Sequence, residues 1–229
     1  MLGVCEVHYE SGDGSTGINS WLTSPPEAGK RPAVLILRGV AGPMQGYLEI
    51  AQTVACWGYH ALIHNWQIRG NDPTDVEAEI DLAGALRYLR EHSEVDQSKI
   101  AILGFCRGGV FAFVAARLLP SLCAMAIFHG FCWRYPKLDE QHTLQPCEMA
   151  GAVKAPVLLL HGTGDKMAPI DGIRELNARL QDLGVKSELH EYAGVDHGFA
   201  VSTHPGFVPE AARDSLVRAE RFLGEHLRT

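Results

Sequence analysis

The sequence predicts one α/β domain over residues 1–229, with a mostly parallel central sheet, helices on both faces and an antiparallel hairpin at the N-terminus. Three observations predict it. Apolar runs of strand length alternate with longer segments of helical period, the order that builds parallel sheets from crossover units. Those runs are continuous rather than alternating, as strands covered on both faces should be. The opening segments Val4–Tyr9 and Thr16–Thr23 instead alternate about Gly12-Asp13-Gly14, which marks a hairpin at the sheet edge.

The buried strands are read as Ala33–Arg38, Tyr59–His64, Lys99–Gly104, Cys123–His129 and Pro156–His161, with Glu188–Tyr192 as the last. Between them, Asp75–His92 carries Val76, Ile80, Ala83, Leu86 and Leu89 at spacings of three and four. Arg107–Leu119, Pro169–Leu183 and Pro209–Leu227 are the other helices, and Cys56 falls late in a further one. The last helix lines up Ala212, Leu216, Ala219, Leu223 and Leu227. Cys132–Lys154, with Pro136 and Pro146, is the least regular stretch and is read as a long connection over the mouth of the sheet.

Composition bounds the function. A chain of 229 residues, 46% hydrophobic and 21% charged, can bury a sizeable core. No apolar run approaches the length of a membrane span, and Met1–Glu6 has no basic region followed by an apolar stretch, so the expectation is cytoplasmic. A net charge of −7 without a Lys/Arg stripe argues against nucleic acid. The six cysteines form no C-x-x-C pair and are expected as free thiols, Cys123 and Cys56 among the packing residues. His60 and His64 share a strand face but lie about 13 Å apart at strand rise. No metal site is predicted.

Cys106 differs because of its neighbours. Gly104-Phe105-Cys106-Arg107-Gly108-Gly109 follows a strand and precedes a helix, matching the G-x-S-x-G nucleophile elbow of the α/β-hydrolase fold with Cys for Ser. The tight turn strains the nucleophile's backbone and needs small residues two before and two after it. The helix N-terminus behind it favours a thiolate. The acid and base should follow in that order. Asp165 lies in the Gly-rich turn after Pro156–His161, whereas Asp171 fits better as a first-turn helix acid. His197 lies in a Gly-flanked loop after the last strand. His161 is expected to pack or hydrogen-bond at its strand end, and His129 to line the pocket. The oxyanion donors should be the backbone N–H groups of Arg107 and Val40.

Gly104–Gly109 (GFCRGG), His161–Pro169 (HGTGDKMAP) and Ala193–Ala200 (AGVDHGFA) together resemble the dienelactone hydrolase family over nearly the whole chain. The resemblance implies cofactor-free hydrolysis of esters or lactones, with Cys106, Asp165 and His197 as the triad. Founding members carry a glutamate where this chain has Gly39 and a substrate-binding arginine where it has Val201. The expected substrate is therefore a neutral, apolar small molecule. Arg38 and Arg107 flank the site, as cation sources or in salt bridges. Trp66, Phe131, Trp133 and Phe199 follow strand ends, as pocket wall or as ordinary packing. A promiscuous phosphotriester hydrolase and a ligand-trapping protein without turnover are the alternatives. A redox thiol protein is disfavoured because no resolving cysteine is close in sequence. The chain is expected as a monomer or homodimer.

Overall fold

The computed structural model describes residues 2–42, 44–133 and 139–228, and the predicted layers are present. β1 (Val4–Glu10) and β2 (Gly17–Thr23) form the antiparallel hairpin. β2 pairs antiparallel with β4 (His60–His64). Every later pairing is parallel, through β3 (Arg31–Leu37), β5 (Val95–Phe105), β6 (Ala124–Phe128), β7 (Val157–Gly162) and β8 (Ser187–Tyr192). The eight strands run in the order β1-β2-β4-β3-β5-β6-β7-β8.

Continuous apolar strands feed two cores because successive side chains point to opposite faces. Ala33, Leu35 and Leu37 of β3 enter one core with α2 (Asp75–Glu91), α3 (Arg107–Leu118) and α5 (Ile170–Asp182). Val34 and Ile36 enter the other with α1 (Met44–Cys56) and α6 (Pro209–Leu227). The parallel strands therefore all end on one rim, with a helix layer on each side, and that rim carries the turns of interest below.

Three sequence expectations are corrected here. The buried face of α2 is Ala78, Leu82, Ala85, Leu86 and Leu89, while Val76 is exposed. Two contacts rotate the helix. Asp81 is drawn inward by a bidentate ion pair with Arg69, both N···O distances 2.9 Å. Gly84 abuts β1 so closely that a Cβ there would lie 2.3 Å from the Glu10 carbonyl oxygen. Cys56 is exposed and Cys123 only half-buried, because Cys56 closes α1 and Cys123 lies just before the strand at Ala124–Phe128.

The connection Cys132–Lys154 does not form a roof, as far as its described residues go; residues 134–138, Pro136 among them, lie outside the described set. Cys147, Met149, Ala150 and Val153 join the core with α3 and α5, through a short helix α4 (Pro146–Met149). The Asp75 carboxylate accepts hydrogen bonds from the N–H groups of Thr143 and Leu144, tying the segment to the start of α2.

Asp81 is 1% exposed and pairs with Arg69. Arg69→Ala should destabilise the protein by about 3 kcal/mol in urea unfolding, because an unpaired buried carboxylate costs more than the pair contributes. The double variant Arg69→Ala/Asp81→Leu should recover most of that loss.

Candidate active site

Cys106 sits between β5 and α3 with φ 53° and ψ −122°, a conformation that L-residues rarely adopt. The surroundings hold it there. Its N–H donates to the Phe128 carbonyl at 3.0 Å, and its own carbonyl accepts from Gly109 at 2.9 Å. The need for small neighbours is steric. A Cβ at Gly108 would lie 1.9 Å from the Leu37 carbonyl oxygen, and one at Gly104 would lie 2.9 Å from backbone of Gly108 and Gly109.

Two loops bring the other residues in. The turn after β7 and the turn after β8 are stitched together by Gly164 N–H to Val195 O (2.9 Å) and Gly194 N–H to the Thr163 hydroxyl (2.9 Å). Asp165 and His197 meet across this seam, Nδ1 to Oδ2 at 2.7 Å. The Asp165 side chain is fully buried. Its Oδ1 accepts from the N–H groups of Met167 (2.9 Å) and Ala168 (2.8 Å). The carboxylate is thus a fixed acceptor that orients the imidazole. Asp171, by contrast, is exposed on the first turn of α5 and pairs with Arg174 at 2.9 Å.

The free edge of the His197 ring faces the thiol. Nε2 is buried and meets no partner in ordinary hydrogen-bond geometry. Cys106 is nonetheless close enough to act on it. Burial pulls the imidazole pKa down, but the hydrogen bond to Asp165, followed by the nearness and charge of the Cys106 thiol, outweighs burial and raises it to about 9. The contact is looser than a formed hydrogen bond, as catalytic contacts without substrate commonly are.

Burial pulls down the pKa of three histidines around His197. His129 follows β6 with φ 38°, and its ring stands edge-on to His197 at 4.8 Å. Burial holds its pKa well below the usual value, with the His197 charge acting the same way. His161 Nε2–H donates to the Ala168 carbonyl at 2.7 Å and lies 3.3 Å from Asp165 Oδ2. Burial also lowers His161 and His204.

A mostly apolar cavity of about 300 Å³ opens at the thiol, lined by Gly39, Val40, Arg107, Phe131 and His129 beside Cys106 and His197. The Val40 N–H donates to no protein group among the described residues. The Arg107 N–H opens α3, while its guanidinium is held in an ion pair with Asp72.

Sequence reasoning missed Tyr47, Met167 and His204 of the lining. Tyr47 comes from a helix and His204 from a turn without a motif, and Met167, though inside HGTGDKMAP, has no chemistry that singles it out. Several expected residues do not line the cavity. Trp66 is buried against Phe111 (4.9 Å) and donates to the Arg38 carbonyl at 2.9 Å. Arg38 is half-buried 6.0 Å above the Trp66 ring. Phe199 and Val201 are buried in the core beside α1. Trp133 is exposed and reaches Glu175 at 3.4 Å. Large apolar side chains after strand ends are drawn into the nearest core as readily as into a pocket. Away from the cavity, Cys132, Cys147 and Glu175 place ligand atoms within 4.8 Å of one another. Burial raises both thiols, which disfavours the thiolates that a metal would need.

The dienelactone hydrolase family model matches residues 18–227. A Bradyrhizobium protein named as a probable 2-oxo-3-(5-oxofuran-2-ylidene)propanoate lactonase is 26% identical over 223 residues, spanning 91% of this chain and 89% of its own. Among solved structures, a dienelactone hydrolase-like promiscuous phosphotriesterase from metagenomic libraries superposes with a TM-score of 0.81 at 23% identity, over 98% of both chains. The structure of Thermogutta terrifontis esterase 2 phosphorylated by paraoxon gives 0.79 at 22% identity, over 97% of this chain and 94% of its own. The two structural likenesses bear on the fold.

The His197 geometry makes a titration prediction. Its raised value means that the imidazolium stabilises the fold below about pH 6.5, and that this contribution is lost as pH rises through about 9. NMR of the His197 ring should show a midpoint near pH 9. Asp165→Asn and Cys106→Ala should each move it down, and a midpoint unmoved by both would contradict the assigned causes.

Proposed function

Because the chain belongs to the dienelactone hydrolase family, we propose that it hydrolyses neutral, largely apolar carboxylic esters or lactones with Cys106 as nucleophile, His197 as general base and Asp165 as its orienting acid. The observation that carries this reading is the buried 2.7 Å hydrogen bond between Asp165 and His197, whose far ring edge opens with Cys106 onto one apolar cavity.

In this mechanism His197 Nε2 takes the thiol proton and the sulfur attacks the ester carbonyl. The N–H groups of Val40 and Arg107 hold the oxyanion. The intermediate collapses to a thioacyl enzyme as the imidazolium gives its proton to the leaving alkoxide. Water then gives a proton to His197 and adds to the thioester. Collapse of that second intermediate releases the acid and returns the proton to sulfur. Apolar walls favour an uncharged acyl group, and no carboxylate-binding cation projects from position 201.

A panel of nitrophenyl esters and simple lactones tests the reading. Cys106→Ala and His197→Ala should lose about 10⁴-fold or more in kcat/KM, and Asp165→Asn a smaller amount on the order of 10³-fold. Turnover that survives Cys106→Ala would remove the nucleophile. A single stoichiometric adduct in intact-mass spectra, with no product released, would replace the enzyme by a ligand trap.

A second substrate class is favoured by the same uncharged walls. A phosphotriester would be attacked at phosphorus by the Cys106 sulfur, with an S–P bond formed and an aryloxide expelled, and water would restore the thiol. Nitrophenyl dialkyl phosphates should therefore release many equivalents of nitrophenol per protein, abolished in Cys106→Ala. Release that stops at one equivalent, with a phosphorylated Cys106, would show inactivation instead.

A further inference from the structure

Tyr47 lies in α1, far in sequence from the triad, yet it lines the cavity. The ring is 2% exposed and edge-on to Phe105 at 5.7 Å, so its direction is fixed by packing. The oxygen accepts a hydrogen bond from the Gly39 N–H at 3.0 Å. A Cβ built on Gly39 would lie 3.0 Å from both the Cys106 Cβ and the Tyr47 oxygen. The hydroxyl and the nucleophile therefore flank the same small space, left empty by a glycine. Among the described residues no carbonyl, carboxylate or ring nitrogen accepts the phenol proton. A buried hydroxyl that accepts one hydrogen bond and donates none within the fold has its proton free for a group in the cavity.

We propose that the Tyr47 hydroxyl donates a hydrogen bond to the Cys106 sulfur in its thiolate state, holding the nucleophile charged between substrates. The thiol proton goes to His197 Nε2 and the phenol keeps its own. Burial, then the charge of Cys106, pushes the phenol up to about 12 against the lowering effects of the Gly39 N–H and Arg38. Tyr47 is therefore a donor throughout the pH range in which the enzyme works. It also grips the Gly39–Val40 backbone, so that one side chain sets both the thiolate and the strand end that supplies an oxyanion donor.

The inference rests on Cys106 being the nucleophile, and its test reads the thiolate directly without a substrate. Ionisable groups facing Cys106 and Tyr47 are His197, His129, His204, Arg107 and Arg38, and all stay in place in Tyr47→Phe. The rate of Cys106 alkylation by iodoacetamide, followed by mass spectrometry against pH, gives the thiolate midpoint. Tyr47→Phe should raise that midpoint by about one unit, a tenfold loss of thiolate below it, because a hydrogen bond to the charged form favours it. Ester kcat should fall with it while KM changes little. An unchanged midpoint would overturn the proposal whatever happens to turnover. Should Tyr47→Phe fail to fold, replacing all tyrosines with 3-fluorotyrosine, a stronger donor, must lower the midpoint, and no shift again overturns it. Turnover surviving Cys106→Ala is a separate result, which strikes the proposed reaction and leaves the alkylation result standing.

Discussion

The site depends on a carboxylate that has lost all contact with water. Asp165 is tolerated in the interior because three N–H groups, from Met167, Ala168 and the His197 ring, converge on it. Remove any and a buried charge is left short of partners, which costs more than an exposed one would. The requirement reaches back into the scaffold. The turns after β7 and β8 must touch, and a Cβ at Gly162 would lie 2.1 Å from the Val195 carbonyl oxygen. Parallel pairing of β7 with β8 brings both turns to the same rim, so sheet topology is the first cause of the hydrogen bond.

Cys106 is held by a different device. Its positive φ is a local cost met by close backbone packing, where α3 starts almost in contact with the end of β3. The same approach brings Gly39 and Val40 beside Cys106. The Cys106 turn and the Gly39–Val40 loop are therefore one packing arrangement rather than two independently placed parts. A substitution that spread β3 from α3 would disturb the thiol and the backbone N–H groups of Val40 and Arg107 together.

Much of this was legible in the sequence, for reasons that can be named. Continuous apolar runs marked the parallel strands because burial on both faces leaves no room for alternation. The glycines at 104 and 108 marked the elbow because no side chain fits there. The order of Cys106, Asp165 and His197 followed from which strand ends share a rim. What stayed hidden depends on tertiary contacts without a local pattern. Periodicity alone put Val76 on the inner face of α2, but the Arg69–Asp81 pair and the Gly84 approach to β1 turn that helix. Trp66 and Phe199 look the same in sequence whether they line a pocket or fill a core. Tyr47 has no motif, and its place beside the thiol arises only from how α1 lies over the sheet.

The cavity's charge balance links these parts. In the proposed reaction, moving a proton from Cys106 to His197 would separate charge in a poorly solvated space. A second imidazolium would repel the first, and burial with the His197 charge keeps His129 neutral at 4.8 Å. The remaining negative charge on sulfur must be met by dipoles: the start of α3 behind it and N–H or O–H groups around it. Such dipoles are fixed before substrate arrives, and the same end of the cavity must next hold charge on a carbonyl oxygen. An apolar wall with preorganised donors at one end thus suits both the thiolate and the oxyanion of the proposed reaction. In the proposed reaction an anionic substrate would be disfavoured, because it would compete with the sulfur for the same donors.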